Sequence, residues 1–223
     1  MKLTTEQIEY VSNYIKSFDI KWYELQLELT DHMVTSMEEI WEKEPEFTFH
    51  QVKQYAENRF GRNGFKEVEK ERRIILHKEF NRSQWKMVVE YLKFPKIVMS
   101  ILLVVFVYRI SFYFEDILLY IKILFGILLG TSVVSISIWF LYRKINGKRF
   151  LALETAFSIN ISSIWFSYWG IFLAKNFIKN LRENHLFFLP FCFFWVLGVL
   201  LVITGKHLTN KVASNIKKQY QLT

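Results

Sequence analysis

The chain has 223 residues, 52% of them hydrophobic and 18% aromatic with 22 Phe, a composition too apolar for an ordinary soluble domain. Its formal charge of +8 is unevenly placed: residues 1–96 carry 16 Lys+Arg against 17 Asp+Glu, whereas residues 97–223 carry 13 against only Glu115, Asp116, Glu154 and Glu183. The excess base lies in the apolar half, where it reports membrane topology before nucleic-acid binding. The single cysteine, Cys192, excludes an intramolecular disulfide or a multi-cysteine metal site.

Met1 to Tyr23 alternates apolar with acidic residues and holds no apolar run, so no secretory signal is expected and the N-terminus is read as cytosolic. Four helices are predicted in a head over residues 1–80. Thr4 caps a first helix to about Ser17, and Asp19 caps a second from Ile20 to about Lys43, stopped by Pro45. Thr48 with Gln51 forms a capping box for a third, with Phe47 and Val52 as its hydrophobic staple. That helix ends near Phe60, before a turn bracketed by Gly61 and Gly64, and a fourth runs from Phe65 toward Phe80.

On the second helix Tyr23, Leu27, Met33 or Val34, Met37 and Trp41 make an apolar side. Glu24, Glu28, Asp31, Thr35, Glu38 and Glu42 line the side next to it. Glu24, Glu28, Asp31 and His32 are the candidate interaction surface. With His50 or Glu57 they could also ligate a divalent metal, but a carboxylate stripe is more often a solvated face, so no metal site is assigned. The sequence has no G-x-S-x-G, Walker loop, H-E-x-x-H or paired CxxC. Accordingly no catalytic, cofactor-binding or metal-binding residue is assigned, and the chain is read as non-enzymatic.

Residues 81–96 form a basic neck. Trp85, Val88, Val89 and Leu92 repeat at i, i+3, i+4 and i+7 beside Arg82, Lys86 and Lys93, the pattern of a helix lying in the headgroup layer; a plain extension of the first span is the alternative. Four apolar stretches then span residues 97–204, at about 97–114, 118–142, 150–173 and 186–204, each near the ~20 residues that a hydrocarbon core of ~30 Å requires. Arg143, Lys144, Lys148 and Arg149 join the second and third, and residues 205–223 are a basic tail. The basic segments place both termini inside, against Lys175, Lys179 and Arg182 between spans three and four. Tyr113, Tyr120, Trp165, Tyr168 and Trp169 suit an outer interface, and Trp139 and Tyr142 an inner one.

Arg109, Lys122 and Glu154 read as interfacial rather than as an ion pathway. Gly126 and Gly130 form G-x-x-x-G, and Asn160, Ser163, Ser167 and Gly170 share a face of span three; both patterns are assigned to helix packing within the bundle, with a homo-oligomer contact as the alternative. Cys192 is a small packing or lipid-side residue.

The stretch Leu27-Glu28-Leu29-Thr30-Asp31-His32, then Glu38-Glu39, Phe47 to Phe49 and Arg59-Phe60-Gly61, resembles the small helical domain of HAAS-type membrane proteins. The likeness covers about Leu3 to Arg73; the family's acidic G-D-P turn is replaced by Gly61-Arg62-Asn63-Gly64. The resemblance implies a compact cytosolic domain ahead of several membrane helices, a gene beside a PadR-type regulator, and a regulatory or interaction role without catalytic residues. The expectation is an all-α protein of a bacterial inner membrane whose cytosolic head binds a partner protein in regulation or envelope homeostasis. A transporter accessory subunit or small channel is the alternative. The lipid bilayer and one protein of unknown identity are the expected partners, with no nucleic acid and no cofactor.

Overall fold

The computed structural model describes residues 2–60, 64–161, 163–177, 181 and 185–222, without the side chains of Leu141, Tyr142 and Ser163. The expected turn residue Gly61, the bases Lys179 and Arg182, and Glu183 lie outside the described residues. Among the described residues the fold is all-α, and four helical stretches are long and apolar enough to cross a membrane: Lys96–Tyr113, Ile117–Phe140, Leu151–Asn176 and His185–Gln219. The chain divides into two compact units, Met1–Leu76 with Lys144–Ala152, and His77–Arg143 with Leu153–Thr223.

In the first unit, the head, α1 (Thr5–Ser17) opens on a capping box between Thr4 and Gln7 and buries Val11 and Ile15. Asp19 does not cap the next helix. It takes a left-handed φ of 59° and donates its N–H to the Lys16 carbonyl, ending α1; Asp tolerates that conformation better than most residues. Helix α2 (Tyr23–Lys43) starts after Trp22 and buries Leu25, Leu29, Met33, Met37 and Ile40. Met33 and Met37 of the expected apolar side are buried and Tyr23, Val34 and Trp41 half-buried, but Leu27 is 42% exposed: α2 is packed by α1 and by α3 (Phe49–Asn58), which adds Leu25, Leu29 and Ile40 to the buried stripe and leaves Leu27 outside it. Thr48 and Gln51 form the expected capping box at α3, while Phe47 stacks on Tyr55 with ring centroids 5.3 Å apart.

Helix α4 (Gly64–Tyr91) gives its first half to the head and its second half to the other unit. Of the neck, residues 81–91 continue α4, residues 92–95 form a turn, and Lys96 opens α5 (Lys96–Ile110). Within the second unit a single-turn 3₁₀ helix, Ser111–Tyr113, follows α5, and Asp116 caps α6 (Ile117–Tyr142) by accepting the Leu118 N–H at 3.0 Å. The third span is made of two helices, α7 (Leu151–Asn160) and α8 (Ser163–Asn176). After a second 3₁₀ turn, His185–Phe188, α9 runs Leu189–Gln219. Its 31 residues extend about 46 Å at ~1.5 Å per residue, so the helix does not stop at Thr204. Gly205, Leu208, Val212 and Ile216 prolong its buried stripe through the stretch read from sequence as a tail.

The bundle core gathers Val104, Val107, Ile121, Phe125, Cys192 and Leu200. Tyr120 is buried in it, donating its hydroxyl to the Val107 carbonyl at 2.9 Å, so it is not the interfacial residue expected. Tyr113, Trp165, Tyr168 and Trp169 are exposed. Among the described residues the G-x-x-x-G pair does not pack the bundle: no other side chain or distant backbone lies within 4 Å of where a Cβ would stand on Gly126 or Gly130. A Cβ would instead collide at Gly170 with the Phe125 ring, at Gly198 with Leu128 at 2.6 Å and at Gly205 with the Asn160 carboxamide at 2.5 Å. Gly170→Ala therefore forces the buried Phe125 ring aside and should cost about 1–3 kcal/mol, whereas Gly126→Ala should be within about 0.5 kcal/mol of wild type. Denaturant unfolding of the full chain in detergent, followed by circular dichroism, measures both.

Candidate functional site

The segment between α6 and α7 folds as a miniature hairpin. Ile145 and Lys148 exchange both backbone hydrogen bonds at 3.0 Å across Asn146 and Gly147, whose φ values of 48° and 75° are those of a two-residue type I′ turn. Glycine and asparagine adopt positive φ more readily than other residues, so Asn-Gly at these positions fixes the turn.

This hairpin packs on the start of α2. The Arg149 carbonyl accepts the Tyr23 N–H at 2.9 Å, the Phe150 ring meets Tyr23 edge-on at 5.8 Å, and Lys148 Nζ lies 3.6 Å from the Tyr23 ring centroid. In return Glu24 Oε1 accepts the Ala152 N–H at 2.9 Å, in the first turn of α7. Its other oxygen, Oε2, is buried and has no hydrogen-bond partner among the described residues. Burial raises the carboxyl's pKa above its ordinary value; the backbone N–H groups of Ala152, Glu24 and Leu151 and the Arg72 guanidinium oppose that rise without cancelling it.

Beside the junction stands Trp22, 4% exposed, which donates its indole N–H to Glu69 Oε1 at 2.7 Å. The Arg149 and Arg73 guanidinium carbons lie 4.8 Å and 5.5 Å from the Trp22 ring, within cation–π range. A cavity of about 510 Å³ opens here, lined by Lys21, Lys66, Lys70, Arg73 and Arg149 together with Asp19, Glu69, Phe18 and Trp22.

Of the residues chosen from the sequence, Glu24 is committed to the hairpin and withdrawn from the open surface. Glu28, Asp31 and His32 remain exposed on α2. Among the described residues no three His, Cys, Asp or Glu side chains gather as a metal-ion site. In the neck, Arg82, Trp85, Lys86 and Lys93 are exposed. Val88 turns into the bundle core with Gln84, which donates to the Leu201 carbonyl at 3.0 Å, so Val88 leaves the apolar face assigned to it. Asn160, Ser167 and Gly170 are buried, but Asn160 ends α7 whereas Ser167 and Gly170 belong to α8, so they do not share one helix face; the side chain of Ser163 lies outside the described residues. Arg109 and Lys122 are exposed and Glu154 is half-buried. A polar gap beside Ser132 and Asn160 has no room for a water molecule.

The sequence reading missed Trp22, the hairpin and one further pair. Ser111 Oγ lies 2.7 Å from His185 Nε2 and 2.6 Å from the Tyr108 carbonyl. With the hydroxyl proton donated to that carbonyl, Oγ accepts from the imidazole, opposite to what a general base activating a serine requires. The pair ties the end of α5 to the 3₁₀ turn before α9.

Glu24→Ala removes the acceptor for the Ala152 N–H and should destabilise the head by about 1–2 kcal/mol; Glu24→Gln keeps an acceptor without burying a charge. A raised folded pKa means that the native state holds this proton more tightly than the unfolded chain. The resulting stabilisation is complete below the ordinary value of 4.5 and is lost as pH rises through the folded value. The difference in unfolding free energy between wild type and Glu24→Gln should therefore move in favour of Gln as pH rises through that window, as denaturant titrations at a series of pH values would show. Compared with protein-family models, with curated proteins and with solved structures, the chain finds no match in any of the three.

Proposed function

We propose that this is a non-enzymatic, multi-pass protein of a bacterial inner membrane, with both termini cytosolic, whose head binds a partner protein in regulation or envelope homeostasis. The observation that carries the reading is the open face of α2. Helix α2 buries Leu25, Leu29, Met33, Met37 and Ile40, yet leaves Leu27, Glu28, Asp31, His32 and Glu42 exposed on the other side. An apolar side chain set among acids is suited to a partner presenting a basic surface with an apolar centre. The HAAS-type resemblance points the same way. Basic segments at Arg143 to Arg149 and at Lys206 to Lys218 support the orientation.

The alternative, a transporter accessory subunit or small channel, draws less support. The polar gap at Ser132 and Asn160 is too tight for water, and Arg109 and Lys122 lie on the outside of the bundle.

The test uses the full chain, crosslinked in intact membranes and purified through a terminal tag. A specific protein should be recovered with wild type and reduced at least tenfold by the charge reversal Glu28→Lys with Asp31→Lys, while Lys43→Gln, also on α2, leaves recovery unchanged. Recovery of the same protein in equal amount with the reversed face, or of no protein from membranes where the head resists proteolysis, would overturn the reading.

A further inference from the structure

We propose that the cavity beside Trp22 is a binding site for a phosphate-bearing anion. Five bases line it against two acids, and both acids are already engaged: Asp19 with Lys21 at 3.3 Å, and Glu69 with the Trp22 indole and with Arg73 Nη2 at 3.3 Å. With Glu67, which lies outside the lining and pairs with Lys70 at 3.4 Å, counted as a third acid, the bases still outnumber the acids around the cavity.

The two arginines are the more specific part of the argument. Trp22 is buried and held by Glu69, so its ring is a fixed surface, and the Arg73 and Arg149 guanidiniums both stand over it. Arg149 is placed from the other direction as well, since its carbonyl is bonded to Tyr23 within the type I′ hairpin. Guanidiniums whose orientation is set before binding lose little freedom on capturing an anion, and their planar forks match the paired oxygens of a phosphate. Lys66, exposed in the first turn of α4, adds a point charge at the rim, while Lys70 in the second turn is paired with Glu67 at 3.4 Å.

Size and place narrow the ligand. At about 510 Å³ the cavity is far larger than one inorganic phosphate and falls in the ~300–1,000 Å³ range of small-molecule sites. Phe18 and Trp22 give it an apolar wall, so the ligand joins a phosphate or diphosphate to an organic group. Two sources share that chemistry. Arg149 precedes Leu151, the first residue of the third span, by two residues, at most ~7 Å along the chain, which is within reach of an anionic lipid headgroup; a soluble organic phosphate is the other.

Full-length protein in neutral detergent is titrated with inorganic pyrophosphate by calorimetry. In parallel, the protein is reconstituted in nanodiscs of phosphatidylcholine with 10% phosphatidic acid, and retained lipid is counted by native mass spectrometry. Wild type should bind in at least one arm, with Arg149→Gln plus Lys66→Gln weakening it tenfold or more and the neck variant Arg82→Gln plus Lys86→Gln leaving it unchanged. Should the first double variant fail to fold, Lys66→Gln plus Lys70→Gln, both at exposed positions, is expected to weaken binding at least threefold. Pyrophosphate binding alone identifies a soluble ligand, lipid retention alone a headgroup, and both a site that takes either. Binding in neither arm, or an equal loss in the neck variant, would overturn the proposal.

Discussion

Two helix starts in the head have no side-chain cap of their own sequence, and each is completed by the other. Helix α2 begins after Trp22, which offers no capping oxygen, and α7 begins after Phe150. The first N–H groups of a helix have no partner within it, and leaving one buried and unsatisfied costs about 1–3 kcal/mol. The Arg149 carbonyl meets Tyr23 and the Glu24 carboxyl meets Ala152, so two such deficits cancel over a separation of more than a hundred residues. Everything distinctive about the head follows from this exchange. It recruits Lys144–Ala152 into the unit, buries Phe150 and carries Arg149 to the ring of Trp22.

What could be read from the sequence divides along the same line. The capping boxes at Thr4 and Thr48 close within four residues, so their residue types are sufficient to specify them, and both form. Asp19 matched a local rule and lost to another: an Asp between two helices can cap the second or end the first, and only the packing of Ile20 and Trp22 into the core decides between them. The buried stripe of α2 was found at Met33 and Met37 but missed Leu25, Leu29 and Ile40, because the extent of the closed side depends on two neighbours. For the hairpin a signal was present. Asn146-Gly147 flanked by Ile145 and Lys148 is a strong short-range turn pattern, and it was hidden by reading the segment only for its basic charge.

The bundle gives the same lesson about small residues. G-x-x-x-G at Gly126 and Gly130 has the spacing of a helix contact, yet spacing says only that the two share a face. Which face is covered depends on the partner helix, and here α8 and α9 supply the glycines while α6 supplies the side chains Phe125 and Leu128 that lie against them. Gly205 shows how far this reaches, since it belongs to a stretch that hydropathy alone assigns to a tail. Packing against Asn160 and the buried run from Leu208 to Ile216 keep α9 helical past the end of its apolar segment.

The head thus carries two features of opposite sign at and along α2. The cavity lies at Trp22 and the acidic face centres on Glu28, Asp31 and His32. Asp31 is nine residues beyond Trp22, about 14 Å at the helical rise of ~1.5 Å per residue, which exceeds the ~8 Å Debye length at physiological ionic strength. An anion in the cavity and a basic partner on the face therefore interact only weakly through the field. Coupling between them would run through the backbone of α2, whose first N–H is held by Arg149 itself. A ligand that moved the Arg149 backbone would strain or relax that bond, at the start of the helix that carries Asp31 and His32. Because the hairpin completes the N-terminus of α2, it is also the element that links the start of the third span to the acidic face proposed to bind a partner.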